Sequence, residues 1–128
     1  MSTRATRVVA VVAALEGLAL LARPVQSTAA LGLGETPPPT WVVRVLGARR
    51  LVQHVALVAA PGHTAARLTV VTELAHAASM LPAALVWPRH RRAALTSAAG
   101  ATAAALAVGV AQSREDTASG ELWADPTR

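Results

Sequence analysis

The chain has 128 residues, with 12 arginines against seven acidic residues and neither lysine nor cysteine. Its apolar share is 53%, but these residues are almost entirely Ala, Val and Leu, with no Phe, Tyr or Ile. Such side chains bury little area each and pack with little variety, which argues against a water-soluble core of this size. The missing cysteine excludes disulfides and thiolate chemistry, and three tryptophans are few for stacking nucleic-acid bases.

The first predicted helix covers residues 8–22, "VVAVVAALEGLALLA". This apolar stretch spans only about 22 Å as a helix. Flanking arginines at positions 4, 7 and 23 can extend their side chains toward water and bring the usable length close to the roughly 30 Å of a bilayer core. A cleaved signal peptide is the alternative, and Glu16 together with the lack of a nearby A-x-A site argues against it.

Residues 23–40 form the longest predicted break. Gly32, Gly34 and the three prolines 37–39 predict irregular chain that ends in a stiff, extended stretch. The second predicted helix follows at residues 41–60 and stops at Pro61-Gly62.

The third predicted helix covers residues 67–87, with Pro82 inside it, and the fourth covers residues 93–111. The fourth has no charged residue and spans about 28 Å, which makes it the strongest membrane signal in the chain. Residues 112–128 hold four of the seven acidic residues and predict a solvated, poorly ordered tail. The fold class predicted is therefore all-α, a small transmembrane four-helix bundle in a single domain, residues 1–111.

Polar side chains inside these apolar stretches must face protein or water rather than lipid. An antiparallel arrangement places Trp41 and Trp87 at one membrane face, where an interfacial aromatic belt is expected. Depths counted along the helices then predict two polar layers. The first pairs Glu16 with Arg49 or Arg50, and the second brings together Gln53, His54, Glu73 and His76. The interfacial anchors predicted at the tryptophan face are Trp41, Trp87, Arg89, Arg91 and Arg92.

The polar layers allow two functional interpretations. His54, His76 and Glu73 could relay protons, since histidine titrates near neutral pH. Alternatively, each contact only holds helices together, with about 0.5–2 kcal/mol of free energy. The Glu73-x-x-His76 spacing also occurs in di-metal bundles, but those need the motif twice, so no metal is expected. No nucleophile elbow or phosphate-binding loop is present, and the prediction is a protein that is not an enzyme and has no cofactor.

Topology stays open between four spans and three, the latter with the second helix lying in the interface. In a four-span protein, the arginines of the first and third loops favour both termini outside, because cytoplasmic loops are enriched in arginine. A three-span protein would satisfy every arginine with its amino end inside. The polar layers of matching depth favour four spans. Small residues in the fourth helix, Ser97, Ala101, Ala105 and Gly109, suit close helix packing or self-association.

The chain resembles a group of small, uncharacterised four-helix membrane proteins of actinobacteria, and more distantly four-helix families of the DoxX type. The resemblance rests on "RVLGARRLVQH", "ELAHAASML" and "PRHRRAAL" and covers most of residues 8–111. It implies a four-helix membrane fold and carries over no activity and no catalytic residue.

The function expected is that of a multi-pass protein of the cell membrane with a structural or accessory role. Its expected partners are the lipid bilayer and a second copy or another membrane protein, not nucleic acid. One alternative is a proton-coupled or small-solute transporter that acts as an oligomer. The other is a soluble, arginine-rich helical protein that binds an acidic partner.

Overall fold

The computed structural model describes residues 4–33 and 36–123, apart from the side chains of residues 115 and 118–123. Within this part of the chain every regular element is helical, so the all-α prediction is confirmed. The helices are α1 (Arg4–Ala22), α2 (Pro24–Ala30), α3 (Thr40–Ala59), α4 (His63–Val86) and α5 (Arg91–Trp123), with a 3-10 turn at Pro88–His90 before α5.

The four long helices form an antiparallel bundle of two closely packed pairs. α1 packs along α3, and α4 packs along α5; smaller contacts of α1 with α5 and of α3 with α4 close the ring. Ala10 and Leu57 share one cluster near one end of the bundle, while Gly17 lies against Gly47 further along, which gives α1 and α3 opposite directions. Short connections between successive helices favour such an up-and-down arrangement.

The interior of the bundle is lined by small residues at alternating spacings of three and four. In α1 the buried positions are Thr6, Ala10, Ala13 and Gly17. In α5 they include Ala94, Ala98, Ala101, Ala105 and Val108. This spacing keeps one narrow stripe of each helix facing its neighbours. The helices therefore bury alanine and glycine and turn most of their large side chains outward.

The closest helix–helix approach lies where α1 and α3 meet at two glycines. A Cβ atom on Gly17 would lie 2.6 Å from the backbone nitrogen of Leu51 and 2.8 Å from the carbonyl oxygen of Gly47. A Cβ atom on Gly47 would lie 2.7 Å from the carbonyl oxygen of Gly17 and 2.7 Å from the backbone nitrogen of Leu21. Neither position has room for a side chain, so the two backbones touch directly.

The first loop contains a helix that the sequence analysis did not expect. α2 occupies Pro24–Ala30, where Pro24 stands in the first turn and the Thr28 hydroxyl donates to the Pro24 carbonyl oxygen at 2.9 Å. Proline suits this position, because it has no N–H to leave unpaired and its φ is already helical. The helix ends before Gly32, whose φ of 62° is one that glycine adopts readily. The prolines 37–39 lie outside helices, whereas Gly34 lies outside the described residues.

The tail is a second correction, because α5 continues to Trp123 through residues predicted to be poorly ordered. Extending a formed helix adds one hydrogen bond per residue without a new nucleation cost, and no proline interrupts residues 112–123. The hydroxyls of Ser113 and Thr117 donate to carbonyl oxygens one turn back. Residues 124–128 lie outside the described residues.

Among the described residues, three segments are long and apolar enough to cross a membrane: Arg4–Ala22, His63–Val86 and Pro88–Arg114. α3 has a similar length of 20 residues, but Arg44, Arg49 and Arg50 make it more polar. α4 runs through Pro82 without ending, although the missing N–H at this residue leaves the Ala78 carbonyl without its usual intrahelical donor.

Substitution of Gly17 by alanine tests the glycine contact. The new methyl group must push α3 away from α1, which we expect to lower the free energy of unfolding by about 1–3 kcal/mol. Unfolding in detergent, followed by far-UV circular dichroism, measures the change. Gly109→Ala is the matched control, because a Cβ atom there meets nothing within 4 Å, and we expect it to be neutral or slightly stabilising. Equal losses for the two variants would contradict the contact.

Candidate site: a polar layer inside the bundle

Arg50 of α3 forms the shortest ion pair in the described part of the chain, with Glu16 of α1. Its Nη2 atom lies 2.8 Å from Glu16 Oε2, and the side chains are 18% and 56% exposed respectively. The guanidinium also reaches α5, since a Cβ atom on Gly100 would lie 3.8 Å from Arg50 Nη1. The sequence left open whether Arg49 or Arg50 meets Glu16, and the structure places Arg50 there. One side chain thus connects three helices.

Glu73 of α4 is a buried carboxylate, with a side chain that is only 2% exposed. Gln53 of α3 donates from Nε2 to Glu73 Oε1 at 3.0 Å. Arg49 Nη2 lies 3.9 Å from the same oxygen and donates to the Thr72 carbonyl oxygen at 3.2 Å. A neutral amide therefore makes the direct hydrogen bond, and the guanidinium supplies the opposite charge from further away.

The two histidines of the predicted second layer have hydrogen-bond partners other than Glu73. The His54 side chain is fully buried, and its Nδ1 atom lies 2.9 Å from the Arg50 carbonyl oxygen of its own helix. Because a carbonyl oxygen only accepts, Nδ1 carries the hydrogen. His76 Nε2 lies 2.9 Å from Ser97 Oγ and thereby connects α4 with α5. The expected four-residue cluster is thus a Gln53–Glu73 pair flanked by two separately bonded histidines.

Two buried nitrogen atoms at this level have no hydrogen-bond partner among the described residues. They are His54 Nε2 and Arg50 Nε. Buried polar atoms without a hydrogen-bond partner are uncommon in folded proteins, so each needs a physical explanation. For His54, a hydrogen on Nδ1 leaves Nε2 as a free acceptor in the bundle interior.

α5 contributes two residues that the sequence analysis did not assign to the polar layers. Ser97 was noted only for its size, yet it lies ten residues after Trp87 while His76 lies eleven residues before it. These nearly equal distances from the turn at Trp87 place Ser97 and His76 at the same depth of the antiparallel helices α4 and α5. Gly100 was not singled out, and it lies beside the Arg50 guanidinium, at a distance where a Cβ atom would make ordinary van der Waals contact.

The expected interfacial anchors lie together at one end of the bundle. Trp41 at the start of α3 is 68% exposed, and Trp87 at the end of α4 is 60% exposed. The Thr36 hydroxyl donates to the Arg89 carbonyl oxygen at 3.0 Å, which fixes the first loop against the turn before α5. Arg91 and Arg92 open α5 at the same end and are exposed.

The side chains of this polar layer form two pairs of opposite charge, each between an arginine and a glutamate. Two guanidinium groups face two carboxylates, with an amide, a hydroxyl and two histidines around them. In the described part of the chain, no three His, Asp or Glu side chains converge as metal ligands. The arrangement can hold helices together, and Glu73 with the histidines can also accept and donate protons.

A double-mutant cycle measures the Arg50–Glu16 pair. We expect Arg50→Gln to destabilise the protein, because it leaves the Glu16 charge without its partner on an otherwise apolar stretch of α1. The double variant with Glu16→Gln should recover part of this loss, with a coupling energy of about 0.5–2 kcal/mol. Denaturant titration in detergent micelles measures the four variants.

Arg92→Gln combined with Glu16→Gln is the control for this cycle. Arg92 is exposed at the end of the bundle, so its effect should add to that of Glu16→Gln within about 0.5 kcal/mol. An additive result for Arg50 as well would mean that the pair contributes nothing to stability.

No protein-family model matches the chain, and no curated protein or solved structure matches it significantly. The resemblance to small actinobacterial membrane proteins therefore stays a prediction.

Proposed function

We propose that the chain is an integral protein of the cell membrane whose four long helices cross the bilayer, and that it has a structural or accessory role without enzymatic activity. The observation that carries this proposal is the distribution of side-chain size. The bundle buries mainly alanine, glycine and threonine, with few large aliphatic residues such as Leu57 and Val108, and exposes most of its valine, leucine and tryptophan. Water would favour the reverse, whereas small interior residues and large outer ones suit helices packed in lipid.

The outward apolar side chains extend around the whole bundle. In α1 they are Val8, Val11, Val12, Leu15 and Leu18; in α3, Val45, Val52 and Val55; in α4, Leu68, Val71, Leu74, Leu81 and Leu85; in α5, Leu95, Leu106 and Val110. A soluble monomer rarely exposes contiguous apolar surface of this extent. This distribution favours a lipid environment over the soluble, arginine-rich alternative.

α3 belongs to the proposed membrane domain despite its arginines. It packs along α1 from Gly47 to Leu57, through the glycine contact and the cluster around Ala10, so it shares the depth of a helix that is apolar enough to span. Arg49 and Arg50 each lie near a carboxylate of a neighbouring helix, the buried Glu73 and the half-exposed Glu16 respectively, which lowers the cost of placing their charges there. These contacts support four spans over three.

Membrane integration and span number can be tested together. We expect the protein to stay in the membrane pellet after carbonate extraction, because its outward side chains are solvated by lipid. Single cysteines at Gln26, Thr64 and Pro88, introduced into this cysteine-free chain, can then be labelled in sealed vesicles with an impermeant maleimide.

Four spans place Gln26 and Pro88 on one side of the membrane and Thr64 on the other. Three spans, with α3 in the interface, would place Gln26 and Thr64 together instead. Release into the supernatant by carbonate would support the soluble alternative and overturn the proposal.

A second candidate function, proton-coupled transport, has support from Glu73 and His54. Glu73 combines a buried carboxylate with a neutral hydrogen-bond donor, and His54 presents a buried nitrogen without a partner among the described residues. Groups of this kind inside a membrane bundle often mark ion or proton pathways. The helix-linking hydrogen bond of His76 to Ser97 fits the structural role better.

Glu73→Gln distinguishes the two functions. The amide keeps the shape of the side chain but removes the carboxyl group that would carry a proton, so a transporter should lose pH-dependent flux in proteoliposomes. Arg49 also loses the opposite charge near it, so some loss of stability is expected, and flux is compared on protein that circular dichroism shows to be folded. Glu16→Gln is the matched control, because Glu16 is half exposed on α1 and lies outside this pair. Flux that survives Glu73→Gln, or no pH-dependent flux in the unmodified protein, would leave only the structural role.

A further inference from the structure

One end of the bundle carries a group of exposed arginines, which we call the basic end. It comprises Arg23, Arg44, Arg89, Arg91 and Arg92, which come from three separate segments of the chain and are all exposed. The antiparallel packing brings the segments together, because the end of α1, the start of α3 and the turn between α4 and α5 meet at the same face. The hydrogen bond from the Thr36 hydroxyl to the Arg89 carbonyl oxygen closes this face.

The charge of the basic end is nearly unopposed. The described residues of the ranges 17–48 and 74–113 contain no aspartate or glutamate, and within these two ranges the sequence has one acidic residue, Glu35. The opposite end differs, since His63 of α4 lies 3.7 Å from Asp116 of α5. Positive charge is thus concentrated at one end and mixed with acidic groups at the other.

Two tryptophans fix the level of the basic end relative to the apolar surface. Trp41 and Trp87 are both largely exposed and border the aliphatic outer faces of α3 and α4. Exposed indoles at this boundary are typical of the interface between hydrocarbon and head groups. Arg89, Arg91 and Arg92 follow Trp87 in the turn before α5 and in its first residues, at the level expected for lipid phosphates in the proposed membrane. Arg44 lies three residues further into α3 than Trp41, and its long side chain can extend back toward that level.

We propose that the basic end binds the head groups of anionic phospholipids in the leaflet it faces, an inference that rests on the proposed membrane integration. Guanidinium groups pair with phosphate oxygens through two parallel hydrogen bonds, and arginines near an anionic surface gain from its negative potential. The arginines lie on an open surface spread over three segments, so the net negative charge of the lipid, rather than the shape of one head group, provides the selectivity.

Brominated lipids provide the test, because they quench tryptophan fluorescence when they contact the protein. The protein, with Trp123→Phe so that emission comes from Trp41 and Trp87, is reconstituted into vesicles of phosphatidylcholine and phosphatidylglycerol with either lipid brominated. The ratio of the quenching by brominated phosphatidylglycerol to the quenching by brominated phosphatidylcholine gives the relative binding constant of the two lipids. We expect phosphatidylglycerol to bind more tightly than phosphatidylcholine, on the order of fivefold. This factor corresponds to the free energy that about one arginine gains near an anionic surface.

Two triple variants locate the binding. Arg89→Gln/Arg91→Gln/Arg92→Gln should bring the ratio close to one, whereas Arg4→Gln/Arg7→Gln/Arg67→Gln, which removes equal charge from the opposite end, should leave it unchanged.

A ratio near one for the parent protein overturns the proposal, as does a preference lost only in the second variant. A preference abolished by inorganic phosphate would assign the arginines to a soluble anion instead. Failure of the protein to float with the vesicles would contradict the membrane integration itself, which separates the two failures.

Discussion

Direct contact between the backbones of α1 and α3 is the constraint on which the rest of the interior depends. At Gly17 and Gly47 neither helix has room for a Cβ atom, so the two axes lie closer than leucine side chains would permit. Glu16 immediately precedes one of these glycines, and Arg50 follows the other by one helical turn. The glycine contact therefore brings the arginine to the carboxylate, and the 2.8 Å ion pair follows from it.

A narrow interior also explains why the polar groups are paired. A bundle lined by alanine has little room for large side chains or for loosely held water, so several of the buried polar side chains take their partners from a neighbouring helix. Glu73 obtains one from Gln53, and His76 obtains one from Ser97. The large aliphatic residues, displaced from the interior, form the outer surface that supports the membrane assignment.

The sequence predicted much of this organisation because apolar runs, charges and prolines act locally. The four long helices follow directly from the apolar stretches, and equal depth in an antiparallel bundle was enough to expect Glu16 near Arg49 or Arg50. The details that depend on packing could not be read in this way. Gly17 and Gly47 resemble any helical glycine until the partner helix is known, and α2 and the extension of α5 depend on helix propagation, which composition alone underestimates.

α5 is longer than a bilayer requires. Its 33 residues span about 50 Å at 1.5 Å per residue, against roughly 30 Å for the hydrocarbon core. If the bundle crosses a membrane as proposed, the segment after Ala111 extends about 18 Å beyond it by residue 123. His63, the first residue of α4, lies 3.7 Å from Asp116 in this segment. A reporter domain fused at this end would thus be carried clear of the head groups, on the side away from the arginine-rich face.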